Sequence, residues 1–268
     1  MPIPEPIQHL VDCRPCAVST ASPARSTPIR ESLTLELSFS RVTHQPQQAL
    51  PHVLFSPMHY EPGYAYPLIV WLHGSGCDER QVMRVMPMIS MRNYVAVAPR
   101  GLENDAPVPL AHEPGRETAS RLRYAWPQHS AAIEQAERRV FECIDIAMQR
   151  CNIARDRVFL AGFDEGGTMA LRLAMLYPQS FGGVVSLCGS FPQGNLPLRQ
   201  WNAVRSLPTL LAVGERSETF TLREASRTLA LYHTAGMPIS IRQYPCGQEI
   251  APPMLEDLNR WIMERVCC

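Results

Sequence analysis

Two stretches of the chain are apolar at every position. Pro67-Leu68-Ile69-Val70-Trp71-Leu72 is one, and Val158 to Phe163 is the other. A run with no polar alternation predicts a strand buried on both faces, as in the middle of a parallel sheet. Tyr94–Ala98 and Gly183–Cys188 read as further buried strands, Leu207–Val213 and Ile239–Tyr244 as the next and the last strand, and His52–Ser56 as a short strand ahead of the turn-rich 57–66. Ser32–Ser40 differs. Leu33, Leu35, Leu37 and Phe39 alternate with Thr34, Glu36 and Ser38, which predicts a half-buried edge strand.

Between these runs the apolar period lengthens to that of a helix. Ile133, Ala136, Val140, Ile144 and Ala147 share one face of a helix predicted over Ser130–Cys151, with Ser130 as its cap. Further helices are expected over Asp78–Met91, capped by Asp78, from Met169 to just before Pro178, over Thr221–Thr234, and over Pro252–Val266. Strand–helix alternation predicts an α/β fold with a doubly wound, mainly parallel sheet. Two stretches have no period. Residues 1–31, rich in Pro, Ser and Thr, are expected to form a flexible leader to a domain spanning 32–268. Residues 102–129 carry Pro107, Pro109, Pro114 and Pro127 and form a long irregular, lid-like loop within that domain.

Composition narrows the function classes. Formal net charge is zero, so no electrostatic case for nucleic acid or an anionic membrane arises. All 25 basic residues are Arg, which excludes a catalytic lysine, a pyridoxal Schiff base and a phosphate-binding P-loop. Nine scattered cysteines fit buried thiols and a reducing, cytoplasmic setting better than a disulfide framework. Cys13-Arg14-Pro15-Cys16 lacks a second ligand pair, so no metal or cofactor is expected. No signal peptide and no membrane span are predicted.

The candidate chemistry sits where the apolar runs end. The first ends in His73-Gly74-Ser75-Gly76 and the second in Gly162-Phe163-Asp164-Glu165-Gly166-Gly167; Tyr244-Pro245-Cys246-Gly247-Gln248-Glu249 precedes the last helix. The second motif is a strand, a sharp turn and a helix. With Ser at its centre it would read G-x-S-x-G, the nucleophile elbow of α/β-hydrolases. In their order along 67–266 the three motifs resemble the phospholipase/carboxylesterase family of α/β-hydrolases, which includes acyl-protein thioesterases. The resemblance implies a cofactor-free Ser-Asp-His hydrolase of small-molecule esters or thioesters. Carried over, its nucleophile falls on Asp164 and its His on Gln248. Its Asp falls in Gly214-Glu215-Arg216-Ser217-Glu218, with Ser217 the best match and Glu215 or Glu218 as alternative carboxylates. The oxyanion-hole backbone, around Ser75 and at Glu165, is retained. His73 is expected to shape the oxyanion loop structurally.

An amide cannot take a proton from a nucleophile near neutral pH, so serine-esterase turnover is expected to be weak or lost. Two readings remain. An elbow Asp is a nucleophile in haloalkane dehalogenases and epoxide hydrolases, which then need a base to activate water; His112, His129 and His233 are the candidates. Alternatively Asp164 fills the oxyanion hole of a non-catalytic protein that binds a ligand or another protein, or merely caps the helix. Ser190, Trp71, Trp126, Arg121 and Arg123 are expected to be loop, packing or solvated residues.

Overall fold

The computed structural model describes residues 50–103, 123–194 and 201–267. The leader, the strand expected over Ser32–Ser40, Cys13, Cys16, His112, Arg121 and the middle of the lid-like loop lie outside the described residues.

The elements, in chain order, are β1 (His52–Phe55), β2 (Tyr66–Leu72), α1 (Gln81–Ile89), β3 (Val95–Pro99), β4 (Leu102–Glu103), β5 (Tyr124–Ala125), α2 (Ser130–Arg150), β6 (Ile153–Phe163), α3 (Glu165–Leu176), β7 (Gly183–Leu187), α4 (Trp201–Val204), β8 (Thr209–Gly214), α5 (Leu222–Thr234), β9 (Ile239–Tyr244) and α6 (Pro252–Val266). Seven strands form one sheet in the order β1-β3-β2-β6-β7-β8-β9. Only β1 is antiparallel, against β3. All seven residues of β2 are buried, as its unbroken apolar run predicts. Its alternate residues face opposite layers, following the two-residue period of a strand. Leu68, Val70 and Leu72 pack with Val140 and Ile144 of α2 and Leu173 of α3, whereas Ile69 and Trp71 pack with Val82 and Met86 of α1 and Leu255 and Trp261 of α6.

Two expected caps are corrected. Asp78 does not start α1. Its Oδ1 accepts from Arg80 N at 3.0 Å in a local turn, and the helix begins at Gln81 without a side-chain cap. Ser130 is the first residue of α2, not its cap; the cap is His129, whose Nδ1 accepts from Ala132 N at 3.3 Å. At α5, Thr221 and Glu224 make a reciprocal capping box ahead of the first helical residue. The lid-like loop is also less irregular than its sequence suggests. Its two ends, β4 and β5, pair antiparallel, Leu102 with Ala125 and Glu103 with Tyr124.

The sheet order sets the place of the site. From β2 the chain runs to β3 on one side and, after α2, to β6 on the other. The loops leaving β2 and β6 therefore part at a topological switch point, and the crevice at the carboxyl ends of adjacent parallel strands is where open α/β sheets bind ligands.

Candidate functional site

Asp164 lies in that crevice, between β6 and α3. Its backbone is at φ 55, ψ −125, a conformation non-glycine residues rarely adopt. The strain is held from both sides: Asp164 N donates to Leu187 O at 2.9 Å, and Asp164 O accepts from Thr168 N at 3.1 Å. Gly162 makes the turn sterically feasible, since a Cβ there would lie 2.5 Å from the Gly166 backbone. Asp164 occupies the capping position of α3, but its side chain makes no capping hydrogen bond. The simple cap is thereby corrected: the carboxylate turns away from the helix and into the crevice.

There it meets the other motifs. Asp164 Oδ2 accepts from Ser75 N at 3.3 Å. Asp164 Oδ1 accepts from Gln248 Nε2 at 2.8 Å, and the same amide nitrogen donates to Cys188 O at 2.9 Å. Gln248 Oε1 accepts from Ser217 Oγ at 2.6 Å. Ser217 is buried, and its hydroxyl oxygen also accepts from Phe220 N at 3.1 Å. Asp164, Gln248 and Ser217 are thus linked, across 84 and 31 residues, in one directional chain. Both amide hydrogens of Gln248 point at acceptors and its oxygen at a donor, so the reverse amide orientation would set oxygen against oxygen twice. Glu215 and Glu218 are exposed and do not join the chain.

The loop after β2 is braced by residues the motifs did not mark. Gln81 Oε1 accepts from Trp71 Nε1 at 2.9 Å and from Gly74 N at 3.2 Å. His73 is fully buried, accepting at Nε2 from Gly101 N at 2.9 Å, with Nδ1 2.9 Å from Gly74 O. Burial pushes its basicity down, which keeps the imidazole neutral, as one accepting and one donating nitrogen require. Trp126 donates through Nε1 to His73 O at 2.9 Å and through its backbone N to Glu165 Oε2 at 3.2 Å. Glu165, expected in the oxyanion hole, is the first residue of α3. Of the histidines considered as bases, His129 caps α2 and His233 lies in the last turn of α5; neither is hydrogen-bonded to Asp164.

The buried Glu79 and the half-buried Arg100 close the same end of the sheet, with Arg100 Nε and Nη2 at 2.8 and 2.5 Å from the two carboxylate oxygens. Burial alone would raise the Glu79 carboxyl, but the Arg100 hydrogen bonds outweigh it and hold it below its ordinary value of 4.5. A folded-state value below the unfolded one means stabilisation that is fully present above the unfolded value and lost as pH falls from there through the folded one. Glu79→Gln should therefore cost about 2 kcal/mol at pH 7. In urea unfolding, the gap to wild type should narrow as pH drops from 7 towards 3.

Among the described residues, no three His, Cys, Asp or Glu side chains are grouped to hold a metal ion, and no helix is long and apolar enough to cross a membrane.

Comparison with known proteins agrees with this architecture. Residues 62–265 match the model of the phospholipase/carboxylesterase family. A relative named "Probable carboxylesterase SOBER1-like" from Arabidopsis thaliana is 24% identical over 214 residues, 75% of this chain and 80% of the relative. The crystal structure of Zea mays acyl-protein thioesterase 2 superposes with a TM-score of 0.62 at 18% identity, over 81% of this chain and 99% of the other. Arabidopsis thaliana SOBER1 gives a TM-score of 0.60 at 20% identity, over 75% of this chain and all of that one. The chain belongs to the phospholipase/carboxylesterase family of α/β-hydrolases.

Proposed function

We propose that the Asp164 site is a binding site, and that this member of an ester-hydrolase family does not turn over esters by a serine mechanism. The observation that carries the reading is the amide at Gln248. It donates to Asp164 and accepts from Ser217. In a serine hydrolase the middle group must take a proton from the nucleophile and return it to the leaving group. Gln248 has no lone pair facing residue 164 and no protonation step near neutral pH. The hydroxyl is absent as well. The chain of hydrogen bonds is complete without a proton in motion, which is a geometry for holding a carboxylate still.

The ligand follows from the charge. Asp164 Oδ2 already takes the Ser75 N–H, a donor that would otherwise hold a developing oxyanion. A negative or oxyanion-forming group would meet a carboxylate there. A neutral or cationic small molecule offering N–H or O–H donors would find acceptor capacity, and an ester or thioester can enter without being cleaved. The retained strained elbow at φ 55 favours a second reading, attack by the Asp164 carboxylate itself. On an ester, attack at the carbonyl expels the alcohol and leaves a mixed anhydride on Asp164, and no described histidine is hydrogen-bonded to Asp164 to activate the water that must cleave it.

Initial rates with p-nitrophenyl acetate and butyrate, for wild type and Asp164→Ala, test the proposal together with intact-protein mass. Expected are buffer-level rates for both proteins and no added mass. Wild-type turnover lost in Asp164→Ala, or an adduct on Asp164, would overturn it in favour of the Asp nucleophile. Equal turnover above background in both would place catalysis on another residue and also overturn it.

A further inference from the structure

A second cavity, of about 740 Å³, lies between the segment Ser190–Gly194 that follows β7 and one face of α5. That is the size range of small-molecule sites. Asp164, Gln248 and Ser217 do not line it. Phe191, Phe220 and Leu231 give it apolar walls, and Leu231 leaves 56% of its surface exposed there. An exposed leucine beside the part-exposed Phe191, backed by the buried Phe220, is apolar area that a ligand tail can cover.

The charges around the cavity are unequal. Glu224 contributes a lining carboxylate, but Oε2 is engaged by Thr221, accepting from its backbone N at 2.9 Å and its hydroxyl at 3.0 Å. Arg227, one turn along the same helix face, makes no hydrogen bond or ion pair among the described residues. Behind the opposite wall lies a second guanidinium. Arg172 of α3 is 3% exposed and donates to Gln128 Oε1 at 2.7 Å and to Gln193 O at 2.5 Å. Both acceptors are neutral, and no carboxylate among the described residues pairs with it. Gln193 itself lines the cavity. A buried cation satisfied only by amide oxygens keeps its charge uncompensated, and its field reaches the adjoining space through a low dielectric.

We propose that this cavity is a second ligand site, separate from Asp164, that takes an amphipathic monoanion: a medium-chain carboxylate with its tail on Phe191 and Leu231 and its head on Arg227. The buried Arg172 reinforces the anion preference without touching the ligand. The proposal does not depend on whether the Asp164 site is catalytic.

Isothermal titration calorimetry with octanoate and with octanamide, its neutral counterpart, tests this on the full chain at pH 7. Octanoate should bind saturably and about tenfold more tightly than octanamide, the range expected of a charge-assisted hydrogen bond. Arg227→Gln, at an exposed position, should remove most of the octanoate preference, leaving only the smaller part that the Arg172 field supplies. Ala230→Trp, exposed on the same helix and lining the cavity, should weaken both ligands, while Asp164→Asn should change neither. Absence of saturable octanoate binding, equal affinity for the two ligands in wild type, octanoate binding unchanged by both α5 variants, or its loss in Asp164→Asn would each overturn the proposal.

Discussion

Asp164→Ser, Gln248→His and Ser217→Asp, made together, should turn this protein into an esterase. The p-nitrophenyl butyrate rate of the triple variant is expected to exceed wild type by at least about 10³-fold, since a positioned base alone contributes roughly 10²–10⁴-fold and a nucleophile is added to it. Three distances support the expectation. Gln248 Nε2 stands 2.8 Å from the residue 164 side chain, and Gln248 Oε1 stands 2.6 Å from the residue 217 side chain, so an imidazole there would have a partner on either side. Ser75 N already points at the residue 164 side chain from 3.3 Å, which supplies one oxyanion donor. Asp164→Ser alone should gain less than about tenfold, because residues of a triad act as a unit and Gln248 still cannot accept the proton. A fluorophosphonate probe should label the triple variant at residue 164 and leave the single variant largely unlabelled. If the triple variant folds with wild-type melting behaviour and shows no gain, the crevice has lost more than its triad, and the oxyanion loop becomes the next place to look.

The parts of this arrangement differ in how readily the sequence shows them. β2 and the Val158–Phe163 end of β6 are plain because a strand buried on both faces has no polar residues to blur it, and their glycine-rich exits mark both loops of the crevice; the start of β6, with Arg155, Asp156 and Arg157, shows no such run. Ser217 was harder. The Gly214 landmark left Glu215, Ser217 and Glu218 in contention, and only the path of the chain, with Ser217 turned inward and the two glutamates outward, brings Ser217 to Gln248. Gln81 gave no local signal at all. Its role comes from facing Trp71 and Gly74 across a turn, which no periodicity records. The two-residue strands β4 and β5 are too short to display a period, so the base of the lid-like loop read as irregular. Imidazole is not among the side chains that commonly fill a cap position and the neighbouring Ser130 is, so the residue pattern points to Ser130 in place of the His129 that caps α2. The buried guanidinium of Arg172 was likewise hidden, since its position on an apolar face of α3 is visible only once Gln128 and Gln193 converge on it.

Gly166→Ala should be among the most damaging single-methyl additions in the chain. Gly166 is the second residue of α3, where the helix passes beneath the end of β2. A Cβ at this position would collide with the carbonyl oxygens of Leu72 and His73. Both obstacles are backbone: Leu72 ends a strand buried along its whole length and His73, itself fully buried, follows it, so no side-chain rotation relieves the overlap. Overpacking of this kind costs about 3 kcal/mol or more, which for a domain of this size lowers Tm by roughly 6–12 °C. The comparison that isolates the steric cause is Gly63→Ala, where an added Cβ has nothing within 4 Å and Tm should stay within about 1 °C of wild type. Helix propensity pulls the other way, because alanine is the better helix former by about 1 kcal/mol. A Gly166→Ala protein as stable as wild type would therefore show that α3 can slide away from β2. In that case the distance from Ser75 N to residue 164 would not be fixed by the scaffold, and the elbow would be no template for restoring a serine nucleophile.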